Sequence, residues 1–260
     1  MKTIDLSNKI AVVTGGAGQL GRAICKGLAQ CGADVVINYF SQKDMAESIK
    51  LEIENEYGVK AMAIKADVTD INSLLEMKEL IIKNIGTADI IINNAVVQYE
   101  WKEILDQEIE SYESQFKSSV LQNVLMAKVF VPDMIKKKFG RVIGINTECS
   151  MQAFPAQSAY VSGKRGMDGV LRVLAREIGK YNITVNQVAP GWTITDNSPG
   201  IDITESNIAQ DFPYIDRVPL RRRGKAEEIA NAVCFLASDL ASFITGVYLP
   251  VCGGNVMPCI

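Results

Sequence analysis

Thr14-Gly15-Gly16-Ala17-Gly18-Gln19-Leu20-Gly21 overlaps the end of a short apolar run, Ile10–Thr14, and leads into a helical pattern. Gly16, Gly18 and Gly21 match the spacing G-x-G-x-x-G, in which glycines let the backbone approach a pyrophosphate and a helix N-terminus holds the anion. The spacing alone is weak evidence, because 20 of the 260 residues are glycine. The order of strand, turn and helix is the required context, so the stretch predicts a dinucleotide-binding turn.

Short apolar runs and longer amphipathic stretches alternate along the whole chain. The runs are rich in Val and Ile and apolar on both faces, which is typical of buried parallel strands. The predicted strands are Ile10–Thr14, Asp34–Asn38, Ala61–Ala66, Asp89–Asn93, Arg141–Asn146, Thr184–Ala189 and Gly246–Val251. The predicted helices are Gln19–Cys31, Ser41–Tyr57, Asp70–Ile85, Gln107–Lys137, Ala156–Lys180 and Lys225–Ala237.

This alternation predicts right-handed β-α-β crossovers. We therefore expect an α/β, doubly wound Rossmann-type fold, a parallel seven-stranded sheet flanked by helices on both faces. No linker, repeat or low-complexity stretch divides the chain, so residues 1–260 are expected to form a single NAD(P)-binding domain. The irregular stretch at about residues 193–217 is expected to be a substrate loop.

The composition excludes several mechanisms. The 260 residues include 27 Lys plus Arg, 30 Asp plus Glu, six Cys and no His. Without His there is no Ser-His-Asp triad, Cys-His dyad or His-built zinc site, and the cysteines form no C-x-x-C pair, so no metal is expected. The slight acidity and the lack of a long apolar run predict no binding to nucleic acid or membrane. We expect a cytoplasmic protein that acts on a small-molecule substrate.

The end of the second predicted strand reads Asn38-Tyr39-Phe40-Ser41-Gln42-Lys43 and contains no carboxylate. An acidic residue at this point selects NAD by binding the ribose 2′-hydroxyl. Ser41 and Lys43 are able to meet a 2′-phosphate instead, which favours NADP(H) over NAD(H). No arginine stands in this turn, and Lys43 is equally well explained as a solvated helix start.

With histidine absent, a catalytic proton must come from tyrosine, lysine or a carboxylate. Tyrosine has a pKa near 10 and needs a cation beside it to work near neutrality, which Tyr-x-x-x-Lys on a helix provides. The chain contains this pattern twice, as Tyr39/Lys43 and as Tyr160/Lys164. The first pair spans a strand end and a helix start, whereas the second opens the helix after the fifth strand.

Together these motifs resemble the short-chain dehydrogenase/reductase family of NAD(P)-dependent oxidoreductases over essentially the whole chain. The resemblance rests on Thr14-Gly15…Gly21, Ala66-Asp67-Val68, Asn93-Asn94-Ala95, Tyr160-x-x-x-Lys164, Asn186-x-Val188-x-Pro190-Gly191, Pro219-Leu220-x-Arg222-x-Gly224, Phe235-Leu236-Ala237-Ser238, Thr245-Gly246 and Gly253-Gly254. It implies that the cofactor contacts Gly15, Gly16, Gly18, Gln19, Leu20, Gly21, Tyr39, Ser41, Asp67, Val68, Asn94, Ala95, Tyr160, Lys164, Pro190, Gly191, Thr193 and Thr195.

The resemblance also implies catalytic roles. Tyr160 exchanges a proton with the substrate oxygen while hydride moves to or from the nicotinamide. Lys164 holds the cofactor ribose and lowers the pKa of Tyr160. Both residues match the family pattern.

Two further catalytic positions depart from the family. Thr147 replaces a serine that binds the reacting oxygen, and it keeps the hydroxyl while adding a methyl; Ser150 is the alternative. Ser119 replaces an asparagine that holds a water chain to the lysine. We expect Ser119, with Asn123 and a water, to maintain this relay.

The substrate pocket is expected between Val96–Glu103, Glu148–Pro155 and Trp192–Arg217. It would contain the side chains of Gln98, Glu100, Trp101, Glu148, Gln152, Phe154 and Trp192. Carboxylates, amides and flat aromatic faces suit a polyol or sugar, although Glu100 and Glu148 are equally well explained as pointing to solvent.

We therefore expect an NAD(P)(H)-dependent oxidoreductase that interconverts a carbonyl and a secondary alcohol on a sugar, polyol or other small hydroxy compound. One alternative is a 3-oxoacyl-type reductase, with Arg221–Arg223 as a basic entrance. Another is a cofactor-binding regulatory protein with a partly decayed catalytic set. The resemblance implies a homotetramer or homodimer.

Overall fold

A parallel seven-stranded sheet forms the centre of the computed structural model, which describes residues 3–194 and 213–257. The strands are β1 (Ile10–Val13), β2 (Asp34–Tyr39), β3 (Ala61–Lys65), β4 (Ile90–Asn93), β5 (Gly140–Ile145), β6 (Ile183–Pro190) and β9 (Tyr248–Val251). They lie in the order β3-β2-β1-β4-β5-β6-β9, and every neighbouring pair is parallel. The order reverses between β1 and β4, which is where doubly wound folds bind ligands.

Helices cover both faces of this sheet, so the predicted fold class is confirmed. They are α1 (Gln19–Gln30), α2 (Lys43–Tyr57), α3 (Ile71–Asn84), α4 (Ile109–Gln115), α5 (Gln122–Lys137), α6 (Cys149–Gln152), α7 (Ser158–Ile178) and α8 (Ala226–Ala237). Side chains alternate between the two layers, as the period of a strand requires. In β1, Ala11 and Val13 belong to the apolar cluster under α1 and α8, whereas Val12 belongs to the cluster under α5 and α7.

Several boundaries differ from the sequence prediction for local reasons. The last strand begins at Tyr248 instead of Gly246, because Gly246 has a φ of +76° and turns the chain. The helix predicted from Ala156 begins at Ser158, because Ala156 has a left-handed φ of +64°. A two-residue ladder, β7 (Thr193–Ile194) with β8 (Gly224–Lys225), is too short to show a periodicity.

The long helix predicted over residues 107–137 is divided by a π-helical segment. α4 leads into the π-helix Phe116–Leu121, and α5 follows it directly. A π-turn widens the helix by one residue and is often found at functional sites. Ser119 lies in this segment.

None of the helices in residues 3–194 and 213–257 is both long enough and apolar enough to cross a bilayer.

Candidate active site

The glycine-rich turn after β1 has the geometry of an anion cradle. Gly15 has a left-handed φ of +59°, and a Cβ on Gly21 would lie 2.2 Å from the carbonyl oxygen of Gly15. α1 starts at Gln19 with Gly18 as its N-cap, without a side-chain cap and without an acidic residue in its first turn. Its first N–H groups and its dipole are therefore left for a negatively charged group, so these residues fit the pyrophosphate of a dinucleotide.

Thr14 fixes the turn to the neighbouring strand. Its hydroxyl accepts the N–H groups of Asn94 at 2.8 Å and Ala95 at 3.0 Å, and donates to the side-chain oxygen of Gln122 at 2.6 Å. The amide of Asn94 donates to the carbonyls of Thr14 at 2.9 Å and Gly15 at 3.1 Å. Gln122 is buried on α5, and no sequence motif had marked it.

The end of β2 contains two of the predicted cofactor contacts, Tyr39 and Ser41. Tyr39 is only 8% exposed, and its side chain belongs to the apolar core. Ser41 and Lys43 are exposed beside it. A guanidinium nitrogen of Arg22 lies 3.6 Å from the sulfur of Met45 on the first turn of α2, which brings an arginine to this edge from another part of the chain.

Asp67, Gly191 and Thr193 are predicted cofactor residues that lie at or beyond the carboxyl ends of β3 and β6. Asp67 accepts the N–H of Thr69 at 2.8 Å and its hydroxyl at 2.7 Å, which shapes the turn into α3. The hydroxyl of Thr193 donates to the carbonyl of Gly191 at 2.9 Å. Thr195 and most of the predicted substrate loop lie outside the described residues.

Three of the four predicted catalytic side chains meet at the carboxyl end of β5. The hydroxyl of Thr147 faces the phenol of Tyr160 and acts to lower its pKa. Lys164 is 3% exposed, its Nζ lies 5.7 Å from the centre of the Tyr160 ring, and it donates to the carbonyl of Ile145 at 2.6 Å. The separation of four residues places both side chains on one face of α7.

Burial dominates the ionisation of this pair. It raises the pKa of Tyr160, the nearby Cys149 thiol raises the pKa further, and the Thr147 hydroxyl opposes the shift. Burial lowers the pKa of Lys164 to about 8. The expected lowering of the Tyr160 pKa by Lys164 stays a prediction. Tyr160 keeps its proton at neutral pH and is suited to donate it.

Two aromatic residues of the loop after β4 hold Tyr160. The backbone N–H of Tyr160 donates to the hydroxyl of Tyr99 at 2.9 Å. The ring of Trp101 stacks on the Tyr160 ring, with centroids 6.0 Å apart and an interplanar angle of 27°. Sequence reasoning placed Trp101 in the pocket but missed Tyr99, because no pattern distinguishes one loop tyrosine from another.

Ser119 lies in the π-helix, close to α7. It is 1% exposed, and a Cβ on Gly163, the residue before Lys164, would lie 3.3 Å from its Cβ. Among the described residues, its hydroxyl has no hydrogen-bond partner. The side chain of Asn123 donates to the carbonyl of Ser119 at 2.6 Å and accepts from Asn93 at 2.6 Å.

The carboxylates that favoured a polyol are already engaged. Glu148 is 3% exposed, so it does not point to solvent, and Asn255 donates to it at 3.0 Å. Glu100 pairs with Lys102 at 3.2 Å and is largely exposed. Glu148 is therefore withdrawn from the pocket surface, whereas Glu100 stays exposed beside Lys102.

The three arginines expected at the entrance are also engaged. Arg221 binds the carboxylate of Asp216, and Arg222 binds Glu228 with both terminal nitrogens, at 2.8 and 2.5 Å. The guanidinium of Arg223 lies 4.2 Å from the centre of an aromatic ring, that of Trp192. Two of the three charges are therefore neutralised locally.

Comparisons with known proteins agree with this geometry. A sequence profile described as enoyl-(acyl carrier protein) reductase matches residues 15–255. The chain is 33% identical over 262 residues to 3-oxoacyl-[acyl-carrier-protein] reductase FabG of Staphylococcus epidermidis, across 96% of this chain and 100% of that protein. The chain belongs to the short-chain dehydrogenase/reductase family. As a short-chain dehydrogenase/reductase, it is an NAD(P)-dependent oxidoreductase of carbonyl and CH–OH groups.

Other members of the short-chain dehydrogenase/reductase family are also similar. FabG of Aquifex aeolicus is 34% identical over 251 residues, across 96% of this chain and 98% of that one. A 7α-hydroxysteroid dehydrogenase, solved with NADH and 7-oxo glycochenodeoxycholic acid, is 28% identical with a TM-score of 0.89, across 99% of both chains.

Proposed function

We propose that the protein is a 3-oxoacyl-type reductase, which reduces the 3-oxo group of an acyl thioester with NADPH. The observation that carries the proposal is the pocket wall around Tyr160. Trp101, Phe154 and Trp192 are partly exposed aromatic residues, whereas Glu100 and Glu148 are held by other side chains. Because Glu148 is buried, aromatic faces dominate this wall, which suits an acyl chain better than a polyol. The names of the two FabG relatives support the same substrate class.

The cofactor would be held by the turn from Gly15 to Gly21, by Asn94 and by the end of β6, as the sequence predicts. A nicotinamide cofactor supplies the hydride when it is bound. The uncapped start of α1 would hold the pyrophosphate, and Lys164 would hold the ribose. The buried ammonium of Lys164 also keeps a positive charge near the reacting oxygen.

The chain's own residues then move one proton. Thr147 donates a hydrogen bond to the substrate carbonyl oxygen, and Tyr160 transfers its phenolic proton to that oxygen as negative charge develops there. Lys164 stabilises the resulting phenolate. A water bound at the Ser119 hydroxyl, which has no hydrogen-bond partner in the described part of the chain, would return the proton through Lys164, with Asn123 fixing the Ser119 backbone.

A substrate panel tests the proposal. Oxidation of NADPH is measured with 3-oxoacyl thioesters of coenzyme A and of acyl carrier protein, with ketoses, and with a 7-oxo bile acid. We expect turnover with the thioesters, and the ratio of the two thioester rates identifies the carrier. Turnover with ketoses or the bile acid alone would contradict the proposal. Tight NADPH binding without turnover on any carbonyl would favour the regulatory alternative.

We propose a preference for NADPH because Ser41, Lys43 and Arg22 lie around the end of β2, where they would bind the 2′-phosphate. A charge-assisted hydrogen bond is worth roughly 1.5–3 kcal/mol, so Lys43→Ala is expected to raise the KM for NADPH about tenfold or more. The KM for NADH should stay unchanged, because NADH has no 2′-phosphate. An equal effect on both cofactors would contradict this preference.

We also propose a homotetrameric or homodimeric protein in the cytoplasm. Ile109, Phe116 and Leu121 on the α4-π-α5 helix are 69%, 51% and 37% exposed, and clustered apolar exposure marks interaction surfaces. Light scattering is expected to give a multiple of the 28.4 kDa chain mass, and a monomer would contradict the assembly.

A further inference from the structure

Glu148 is a buried carboxylate that the reductase mechanism does not use. It directly follows Thr147, it is 3% exposed, and its backbone N–H donates to the carbonyl of Pro190 at 2.9 Å. A buried charge is costly unless hydrogen bonds satisfy it. The groups that contact the carboxylate therefore indicate the role of Glu148.

Three segments far apart in the sequence meet at this carboxylate. The side chain of Asn255, after β9, donates to its Oε2 at 3.0 Å. The hydroxyl of Tyr214 and the backbone N–H of Trp192 face this carboxylate and act to lower its pKa, as does the positive charge of Arg217. The backbone N–H of Trp192 donates to the Tyr214 hydroxyl at 2.8 Å, so these two residues are joined to each other.

We propose that Glu148 is a positioning residue for Thr147 and for the pocket wall. We name residues 213–218 the Tyr214 segment. Through its carboxylate, Glu148 joins the Tyr214 segment and the turn at Asn255 to the loop that carries Thr147. The hydroxyl that binds the substrate oxygen and the wall that contacts the rest of the substrate are then held as one unit.

The packing around Tyr214 carries this coupling to the end of β6. A Cβ on Gly191 would lie only 2.7 Å from the Tyr214 hydroxyl. The Tyr214 ring packs edge-on against Trp192, with centroids 5.2 Å apart and an interplanar angle of 87°. Arg217 lies 4.8 Å from the centre of the Phe154 ring, on the loop that follows Thr147. A shift of Tyr214 therefore changes both sides of the pocket.

The charge of Glu148 is less important to this arrangement than its hydrogen bonds. Burial raises the pKa of Glu148, while the hydrogen bond from Asn255, the Tyr214 hydroxyl and the charge of Arg217 oppose that shift. An amide of the same shape still accepts from Tyr214 and avoids the desolvation cost, and Asn255 is able to present its oxygen to the new donor. Glu148→Gln should thus keep the hydrogen bonds that hold the pocket wall, whereas Glu148→Ala should remove them.

Kinetics test the coupling by a double-mutant cycle. Glu148→Ala is expected to lower kcat/KM about tenfold or more, because hydrogen bonds to a charged group are lost. Tyr214→Phe should have a similar effect, and the double variant should be no worse than Glu148→Ala, since both changes break one unit. Glu148→Gln should keep a kcat/KM close to that of the wild type.

The control is Glu227→Gln, which removes the same charge from an exposed position on α8 and should leave kcat/KM unchanged. Additive losses, or a Glu148→Gln variant as impaired as Glu148→Ala, would contradict the proposal.

Fluorescence tests the same coupling without a substrate. The chain has two tryptophans, so Trp101→Phe leaves Trp192 as a single reporter beside Tyr214. In this background Glu148→Ala and Tyr214→Phe should each raise the acrylamide quenching of Trp192, and Glu148→Gln and Glu227→Gln should not. Unchanged quenching in a folded Glu148→Ala or Tyr214→Phe variant would overturn the proposal.

The two measurements separate this inference from the proposed function. The kinetic experiment rests on the proposed reductase activity, whereas the quenching experiment uses the free protein. A quenching change without turnover on any 3-oxoacyl thioester would remove the proposed function and keep the positioning role. If Glu148→Ala does not fold by circular dichroism, Tyr214→Phe and Glu148→Gln still give opposite expected results.

Discussion

Gly21→Ala perturbs the cofactor cradle by a single methyl group. The added Cβ would lie 2.2 Å from the carbonyl oxygen of Gly15, 2.8 Å from the Cα of Gly16 and 3.0 Å from the carbonyl carbon of Gly15. All three contacts are with backbone, so no side-chain rotation relieves them. Either the turn or the start of α1 must move, and these two elements provide the proposed pyrophosphate site.

The size of the effect follows from this overlap. Overpacking a methyl into a close-packed region costs typically about 1–3 kcal/mol. If NADPH binding forces the displaced turn back to its original position, this free-energy cost is subtracted from the binding free energy. A loss of about 1.4 kcal/mol raises Kd tenfold. We therefore expect the Kd for NADPH to rise by roughly fivefold to 150-fold, together with a lower Tm.

The assay is a titration of NADPH fluorescence, with Gly169→Ala as the matched control. A Cβ on Gly169, an exposed residue of α7, would meet nothing within 4 Å. Replacing a helical glycine with alanine stabilises a protein by roughly 0.5–1 kcal/mol, so this variant should bind NADPH normally and melt at a higher temperature. Wild-type affinity in Gly21→Ala would refute the assignment of the cradle.

Two further variants address the proton path. Lys164→Met should abolish turnover yet raise the free energy of unfolding by up to about 3 kcal/mol, because burial lowers the pKa of Lys164 from 10.5 to about 8. In chemical denaturation the free energy of unfolding of the wild type should rise between about pH 8 and pH 10.5, and that of Lys164→Met should not. Lys128→Met removes an exposed lysine and is the control. Equal free energies of unfolding for the two variants would contradict the prediction. Ser119→Ala should lower turnover about tenfold and alter the pH profile of kcat, and an unchanged profile would exclude Ser119 from the relay.

The fold was predictable because buried parallel strands have a strong sequence signal. Each strand of the main sheet is a short apolar run bounded by turns, and the prediction of Asp34–Asn38 differs from the observed β2 only by Tyr39. The π-helix around Ser119 was not predictable, since the residues from 109 to 137 keep a helical pattern throughout.

The candidate site was predictable where short motifs fix it and not where distant segments meet. Tyr160 and Lys164 lie one helical turn apart, but Tyr39 and Lys43 have the same spacing, so the position after the fifth strand and the family resemblance had to distinguish the two pairs. The environment of Glu148 depends on Asn255 and Tyr214, which are remote in the sequence and carry no motif. Polar residues of this kind look like solvated loop residues until the chain is folded.

The proton donor is tested most directly by single-turnover oxidation of NADPH in Tyr160→Phe, mixed with a 3-oxoacyl thioester in a stopped-flow instrument. The variant keeps the aromatic ring against Trp101 and loses only the hydroxyl. Because general acid catalysis contributes roughly a hundredfold to ten-thousandfold, the rate should fall by that factor while the Kd for NADPH stays unchanged. A Tyr160→Phe variant that oxidises NADPH at the wild-type rate would contradict the role of Tyr160.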